Sequence, residues 1–267
     1  IVPSKTGYSP GGSLTQYTVD FHELNVNGMV EANKKFGDFT VRANIGTNSQ
    51  DNVWKQSGIF GAGPFVVPFF YSASNIANKP FTYNFSHYRV NSIYASADLS
   101  YKDFLFVTLT GRNDWFSTLN INSNDVLYPS ISTSFVFSDV LRLPSFISFG
   151  KLRASYAQSS NGTTPYRNLL TYGLQGYTID DQSLGYINQT EILNAELKPI
   201  KIAEQEIGLN VGFLNNRLSI DLAWYNKKTT DDILPVTISP TSGYTGNVVN
   251  IGEVRNRGIE LLVTGTP

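Results

Sequence analysis

The sequence contains no cysteine, a single methionine and two histidines, and only 15% of its residues are charged. Without cysteine there can be no disulfide scaffold, thiolate metal site or cysteine nucleophile. The 20 basic and 21 acidic residues nearly cancel, and no basic run occurs. A nucleic-acid partner is therefore not expected. The charged share also lies well below the roughly 25% that is typical of a soluble domain.

Long apolar runs are missing as well. The most apolar stretch, residues 59–70, is broken by Gly61, Gly63, Pro64 and Pro68. It is also shorter than the roughly 18 residues that a transmembrane helix requires. The sequence thus excludes a protein that crosses a membrane with helices.

Alternation of apolar and polar residues is the dominant pattern, and it predicts β-strands with two chemically different faces. In the alternating segments, the apolar set of positions carries no charge, apart from Arg257 at the start of the last segment. We predict about nine strands, at residues 24–32, 39–45, 92–101, 104–112, 130–137, 151–156, 204–213, 218–225 and 257–264.

The connections between these segments alternate between short and long. Tight turns are predicted at 35–37, 102–103 and 214–216, with a moderately short link at 138–148. Long loops are predicted at 47–86, 113–127, 159–201 and 227–251. This alternation is typical of an antiparallel up-and-down transmembrane β-barrel, with short periplasmic turns and long outer loops. Strands of about ten residues suffice to cross a bilayer. We therefore expect the uncharged face to meet lipid and the polar face to line a wet lumen.

Strand direction predicts that the barrel is larger than this segment. If the short turns are periplasmic, the first strand runs inward and residues 8–12 belong to an outer loop, while residues 265–267 form a periplasmic turn. Bacterial barrels have an even strand number with both ends in the periplasm. At least one further strand is thus expected upstream, and residue 1 is expected to be a processed end or an arbitrary cut, since Ile-Val-Pro is not the start of a signal peptide.

Several segments, taken together and in order, resemble the barrel of SusC/RagA-type TonB-dependent outer-membrane transporters. The resemblance covers residues 15–267 and departs from the usual pattern at Phe116, where a small residue is common. The segments that carry it are 109–119 (LTGRNDWFSTL), 128–132 (YPSIS), 151–157 (KLRASYA), 206–209 (EIGL), 215–218 (NNRL), 224–232 (WYNKKTTDD) and 250–260 (NIGEVRNRGIE).

The resemblance implies a nutrient importer rather than an enzyme, without a cofactor. Such a transporter has a barrel of about 22 strands, occluded by an N-terminal plug and located in the outer membrane of a Gram-negative bacterium. It would be energised by the TonB complex and capped by a SusD-like surface lipoprotein that captures glycans or peptides. Residues 1–267 would be part of the barrel domain, with the plug and the TonB box outside this segment.

Charged residues at polar positions of the predicted strands are expected to face the lumen. Glu204 and Glu206 lie two residues apart on one face, about 7 Å along the strand, which is near the separation of paired glycosidase carboxylates. No apolar pocket that would tune an acid is visible, so polar lining is the better interpretation. The predicted lumen-facing residues are Arg42, Asp98, Arg153, Glu204, Glu206 and Asp221.

Two groups of residues are candidates for substrate contact. Arg112, Asp114 and Trp115 lie where a strand leaves the membrane. There the ion pair could order the outer loop or touch ligand, and Trp115 could anchor at the interface. Aromatic rings in the long loops could stack on sugar faces or peptide side chains, although packing within the loop explains them equally well. The second group consists of Tyr166, Tyr172, Tyr177 and Tyr186.

A metal site is not expected. His22 and His87 lack the spacing of a zinc site. Residues 120–125 lack the glycine and distal glutamate of a calcium loop, and in residues 180–191 Leu184 occupies a ligand position. Two other functional interpretations remain open at this point. One is a secreted β-sandwich adhesin or carbohydrate-binding module, and the other is a passive porin.

Overall fold

The computed structural model describes residues 11–187 and 190–266, and nearly all of its regular structure is β-strand. No helix in these residues is long and apolar enough to cross a membrane. The described strands are β1 (Leu14–Phe36), β2 (Phe39–Ala62), β3 (Phe81–Tyr101), β4 (Leu105–Phe116), β5 (Asp125–Val136), β6 (Ile147–Asn161), β7 (Tyr172–Ile179), β8 (Gln182–Ile187), β9 (Glu191–Ile192), β10 (Ile200–Phe213), β11 (Leu218–Thr230), β12 (Ile233–Thr237), β13 (Gly246–Asn250) and β14 (Glu253–Gly265).

Nine of these strands form one antiparallel sheet in the order β1-β2-β3-β4-β5-β6-β10-β11-β14. Each of them overlaps one of the nine segments predicted from alternation, which confirms the all-β, up-and-down prediction. The remaining strands lie in the long connections, where β7 pairs with β8 and β13 pairs with both β12 and β9. These long connections thus carry small sheets that the sequence did not predict.

The register gives the large sheet two different faces. Glu206 of β10 lies opposite Ser155 of β6 and Tyr225 of β11, whereas its neighbour Ile207 lies opposite Ala154 and Trp224. We call the side that carries Glu206 and its cross-strand neighbours the polar face, and the side that carries Ile207 the apolar face. Ile207 is 53% exposed, and Leu222 and Trp224 of β11 are about 40% exposed, so these apolar side chains lie on the surface.

The buried apolar residues form two small clusters at the ends of strands and in loops rather than beneath the sheet. The first joins the connections that follow β4, β6 and β11 and comprises Phe116, Leu119, Leu197, Ile233 and Val248. The second comprises Leu14, Ala62, Phe65 and Ile76. The sheet itself has no conventional hydrophobic core among the described residues, as expected of strands whose apolar face meets lipid rather than protein.

The predicted tight turns are confirmed. Lys102 and Asp103 both have positive φ (46° and 59°), which matches the twist of a two-residue hairpin. Lys102 also ties its turn to the preceding one, because its Nζ lies 3.3 Å from Asp38 Oδ2. The hydrogen bond to Asp38, followed by that to Tyr101, holds the pKa of Lys102 above its ordinary value.

The prediction of a long loop at 47–86 was wrong over much of its length. β2 continues to Ala62, β3 already begins at Phe81, and β1 begins ten positions before the predicted start at residue 24. Residues 16–22 and 81–86 still alternate and were missed, whereas in residues 46–57 polar side chains occupy both faces although strand pairing continues. Asn84 Nδ2, for example, donates to Gln56 Oε1 over 3.2 Å. Of the predicted outer loop at 8–12, residues 8–10 lie outside the described residues.

The described chain divides into two compact units. One contains residues 11–25 and 50–89, and the other contains residues 26–49 and 90–266. In the first, the connection between β2 and β3 is fixed by the amide of Asn75. Its Nδ2 donates to the carbonyls of Val67 (2.7 Å) and Phe70 (2.6 Å), and its Oδ1 accepts from the Val67 N–H (2.9 Å).

Candidate functional site on the polar face

The best-connected charged group on the polar face is centred on Arg153 of β6. Its Nε donates to Glu206 Oε1 over 3.0 Å, and its Nη1 donates to Asp221 Oδ1 over 2.9 Å. Asn210 Nδ2 completes the group by donating to Asp221 Oδ2 over 2.9 Å. Three of the six residues predicted to face the lumen are therefore joined in one network across β6, β10 and β11.

The network depends on a glycine in the neighbouring strand. Gly208 lies directly opposite Arg153, and a Cβ added there would lie 2.4 Å from the guanidinium. The missing side chain lets the guanidinium lie flat across β10 toward Asp221 of the next strand. One cation between two carboxylates gives this network a formal charge of −1.

A second acidic group lies beside it. Glu204, also predicted to face the lumen, has its Oε2 3.9 Å from Lys227 Nζ. A recess of about 230 Å³ is lined by these two residues together with Glu206, Tyr225 and Glu260. Three carboxylates and one ammonium favour a cationic or hydrogen-bond-donating group in the recess. Within the described part of the chain, no three acidic or histidine side chains are arranged to hold a metal ion.

Arg42 and Asp98, the last two predicted lumen residues, line a common recess of about 320 Å³. Thr108 Oγ1 donates to Asp98 Oδ1 over 2.7 Å, while Arg42 Nε lies 3.7 Å from Glu31 Oε1. Pairing across the strands carries one face from Asp98 through to Glu206. The successive partners are Asp98, Thr108, Ser132, Ser155 and Glu206.

Arg112 and Asp114 form the predicted ion pair, with Arg112 Nε 2.7 Å from Asp114 Oδ1. Arg112 Nη2 also donates to Ser92 Oγ over 2.8 Å, and the Tyr128 hydroxyl donates to Asp114 Oδ2. Asp114 is buried. These contacts connect β3, β4 and β5 and favour the loop-ordering interpretation. Trp115, the third member of the predicted group, lies on the apolar face, where it is partly exposed.

The four loop tyrosines do not form one platform. Tyr166 lies in the connection before β7, whereas Tyr172, Tyr177 and Tyr186 lie on the β7–β8 hairpin. Tyr172 pairs with Ile187 and Tyr186 pairs with Gly173, so these two side chains point to opposite sides of the hairpin. All four rings are substantially exposed. A shared stacking surface for a ligand is therefore not preformed there.

The sequence interpretation missed several partners in these groups. Ser92 and Tyr128 complete the Arg112 pair, and Lys227 accompanies Glu204. Each occupies a position that the register assigns to the polar face, which was the available signal. The sequence could not identify which strands exchange contacts, because the partners are up to 68 positions apart.

Residues 3–266 match the family model described as TonB dependent receptor-like, beta-barrel, and the chain belongs to this family. The family consists of outer-membrane receptors of Gram-negative bacteria that act in transport and are not enzymes. This membership confirms the resemblance stated above. It also overturns the alternative of a secreted β-sandwich, because the nine strands are barrel wall rather than one half of a two-sheet core.

Two sequence relatives come from Formosa agariphila. TonB-dependent receptor P26 is 29% identical over 273 residues, which cover 96% of this chain and 27% of the relative. TonB-dependent receptor P3 is 27% identical over 265 residues, which cover 96% of this chain and 26% of the relative. The chain thus spans about a quarter of the length of the curated relatives that it matches.

Solved structures show the same fold. The RagAB peptide transporter aligns with a TM-score of 0.80 at 19% identity, covering 99% of this chain and 30% of that one. The siderophore receptor PirA of Pseudomonas aeruginosa aligns with a TM-score of 0.55 at 12% identity, covering 91% of this chain and 39% of that one. At these identities the likeness establishes the fold.

Proposed function

We propose that the protein containing this chain imports a glycan or peptide nutrient across the outer membrane in a TonB-dependent manner. The polar face of the sheet would line the transport path, and the apolar face would contact lipid. The observation that carries the proposal is the separation of the two faces. Arg153, Glu206 and Asp221 are joined on one side of β6, β10 and β11, while the side chains between them on the other side are apolar and exposed.

The chemistry of the polar face suits passage of a polar substrate. Its carboxylates, hydroxyls and amides are satisfied mainly by one another, so they offer an aqueous lining rather than a single deep binding pocket. The recess beside Glu204 and Glu260 carries excess negative charge, which would favour amino groups over carboxylates. This preference and the likeness to a peptide transporter support a peptide over a neutral glycan.

We further propose that a SusD-like surface lipoprotein works with this receptor, and that the TonB complex acts through parts of the protein outside this chain. The small sheets β7–β8 and β9–β12–β13 lie in the connections predicted to face outward, where such a lipoprotein would dock. Purification of the tagged full-length receptor should therefore co-purify a lipidated protein in stoichiometric amount.

Growth tests distinguish the importer from the remaining alternative, a passive porin. A strain that lacks the full-length gene should lose growth on either oligopeptides or oligosaccharides as the sole nutrient, and complementation should restore it. Loss of TonB should have the same effect as loss of the receptor. Uptake that persists without TonB would contradict the proposal and favour a porin.

A further inference from the structure

Near the β10–β11 turn the apolar face carries aliphatic side chains. At the opposite ends of these strands the same face carries basic side chains instead. Val211, Leu209 and Ile207 succeed one another on this face of β10, and Lys201 lies on the same face near the strand end. On the neighbouring strands, the apolar residues give way to basic ones at the same distance from the turn. Ile207 lies beside Trp224, and Trp224 beside Ile259, in the last largely apolar row.

Beyond this row the register brings four cations together on the apolar face. Arg257 lies opposite Asn226, and Arg255 lies opposite Lys228. Lys201 lies opposite Thr230, one step further along the same face of β11. Directly opposite side chains are about 5 Å apart at Cβ and diagonal ones about 7–8 Å. We call Lys201, Lys228, Arg255 and Arg257 the basic patch.

The acidic residues at this level lie mostly on the other side of the sheet. Glu204, Glu206 and Glu260 occupy the polar face, so at this level the polar face carries the acidic residues and the apolar face carries the basic patch. On the apolar face, Lys228 Nζ lies 2.9 Å from Glu253 Oε2, and Lys201 Nζ lies 4.0 Å from Asp231 Oδ2.

The two arginines of the basic patch remain available. Arg255 and Arg257 are exposed, and no ion pair involves either guanidinium among residues 11–187 and 190–266. Four cations against two carboxylates leave a formal charge of +2 on a surface whose next row is apolar.

A recess adjoins the basic patch. β5 and β6 pair only from Ser130 and Ala157 toward their common turn, so the two strands separate above this point. The resulting cavity of about 300 Å³ is lined by Lys201 and Lys228 together with the polar side chains of Gln158 and Thr230. It provides room for a bulky head group beside the cations.

We infer that the basic patch binds the phosphorylated head group of an outer-leaflet lipid. The inference rests on the proposed assignment of the apolar face to lipid. Trp224 and Tyr156 mark the boundary between hydrocarbon and head groups, where aromatic side chains of barrels concentrate. Cations just beyond that boundary can extend their charged ends toward lipid phosphates. Arginine adds a planar fork that binds two phosphate oxygens at once.

The test uses the full-length receptor in detergent, with diphosphoryl lipid A as the probe and native mass spectrometry as the readout. Lys228→Gln/Arg255→Gln should weaken lipid binding at least fivefold. The matched control, Lys227→Gln/Lys151→Gln, removes the same charge from the polar face of β11 and β6 and should bind as the parent does. The charge-preserving variant Lys228→Arg/Arg255→Lys should retain binding, which separates loss of charge from misfolding.

Equal binding by the parent and the neutralised variant, or equal loss in the control, would overturn the inference. Lipid A without phosphate should bind no better to the parent than to the neutralised variant. Inorganic phosphate at millimolar concentration should not displace the intact lipid, because the site also requires contact with the acyl region. Displacement would show a simple anion site instead.

A fluorescence measurement separates this inference from the proposed function. Bimane attached at Lys228→Cys or Lys227→Cys reports on opposite faces, and this chain contains no other cysteine. In phosphatidylcholine vesicles with a spin label on the lipid head group, quenching at 228 but not at 227 supports the face assignment. Absence of quenching at 228 would contradict that assignment. Quenching at 228 without lipid A binding would contradict the lipid site alone.

Discussion

At the scale of single residues, the polar face is built by placing long side chains over glycines in the adjacent strand. Arg153 lies over Gly208, Tyr94 lies over Gly46, and a Cβ added at either glycine would come within 2.5 Å of the long side chain. Tyr94 then reaches Asn27, to whose Oδ1 its hydroxyl donates over 2.8 Å. A glycine in a strand is otherwise unfavourable, so its presence here reflects the space that the neighbour needs.

This arrangement predicts opposite outcomes for two glycine substitutions. Gly208→Ala displaces the Arg153 guanidinium from Glu206 and Asp221, and because the site is partly solvated we expect a loss of only about 1 kcal/mol. Gly111→Ala meets nothing within 4 Å and should be neutral or stabilising by up to about 1 kcal/mol. Urea unfolding of the full receptor, followed by heat-modifiable mobility on gels, measures both. Equal destabilisation would argue against the role of Gly208.

The two faces also predict how a new charge is tolerated at adjacent positions. Leu209→Arg places a cation in the middle of the apolar rows of β10, and near the bilayer midplane such a charge costs about 2–4 kcal/mol. Asn210→Arg places the same charge on the polar face, beside Asp221, and should be nearly neutral. Refolding into lipid vesicles at graded urea concentrations compares them. Similar losses at both positions would reject the face assignment.

At the scale of elements, β1, β2 and β3 are long because they continue beyond the membrane. A bilayer crossing takes about 9–11 residues, and Asp51 is already the thirteenth residue of β2. There Arg89 Nε donates to Asp51 Oδ2 over 2.6 Å, and His87 Nε2 lies 3.1 Å from the same carboxylate. The hydrogen bonds from His87 and then Arg89 hold the pKa of Asp51 below its ordinary value of 3.8.

This shift predicts how the β2–β3 extension responds to acid. A lowered pKa in the folded state means that Asp51 stabilises the pairing at pH values above about 3.8 and loses that effect as the pH falls through its lower folded value. A spin label at Lys55→Cys should keep its mobility down to about pH 4 and become more mobile below. In the Asp51→Asn background the mobility should be higher and independent of pH. A parent response centred near neutral pH would contradict this prediction.

The connection between β2 and β3 is held by the amide of Asn75 in addition to the buried side chains of Phe65 and Ile76. Asn75→Asp removes both donors to the Val67 and Phe70 carbonyls and leaves them facing a carboxylate. We expect faster chymotrypsin cleavage at Phe69–Tyr71, with barrel stability unchanged. Lys79→Ala, in the same connection, is the control and should be cleaved at the parent rate. Unchanged cleavage in Asn75→Asp would show that the buried Phe65 and Ile76 fix this loop without the amide.

How far the fold could be predicted depends on whether a strand has two different faces. Alternation identified all nine strands of the sheet, since each crosses the membrane between unlike surroundings. It failed at residues 46–57, where polar residues occupy both faces, and it was not extended to residues 16–22 and 81–86, although these still alternate. For the site, alternation placed Arg42, Asp98 and Glu204 on the polar face. It could not pair Arg153 with Asp221, because that contact depends on the order of strands β6, β10 and β11.

At the scale of the whole molecule, burial is the reverse of that in a water-soluble domain. Ile259, Leu261 and Val263 of β14 are 72%, 64% and 55% exposed, respectively. Contiguous apolar surface of this kind marks a protein or membrane interface. In the described part of the chain, β1 and β14 end the order of the sheet. Each is therefore paired on one side only.

These features predict that the 267-residue polypeptide, expressed by itself, does not form a stable monomer. In hydrocarbon, each unpaired backbone group at the two edges costs several kcal/mol, and in water the apolar face and open edges favour association. Size-exclusion chromatography without detergent should therefore show aggregates. The full-length receptor in detergent, which supplies the remaining wall, should elute as a defined species. A monodisperse, detergent-free monomer of the short polypeptide with a cooperative thermal transition would mean that the apolar face is a protein core, contrary to the face assignment.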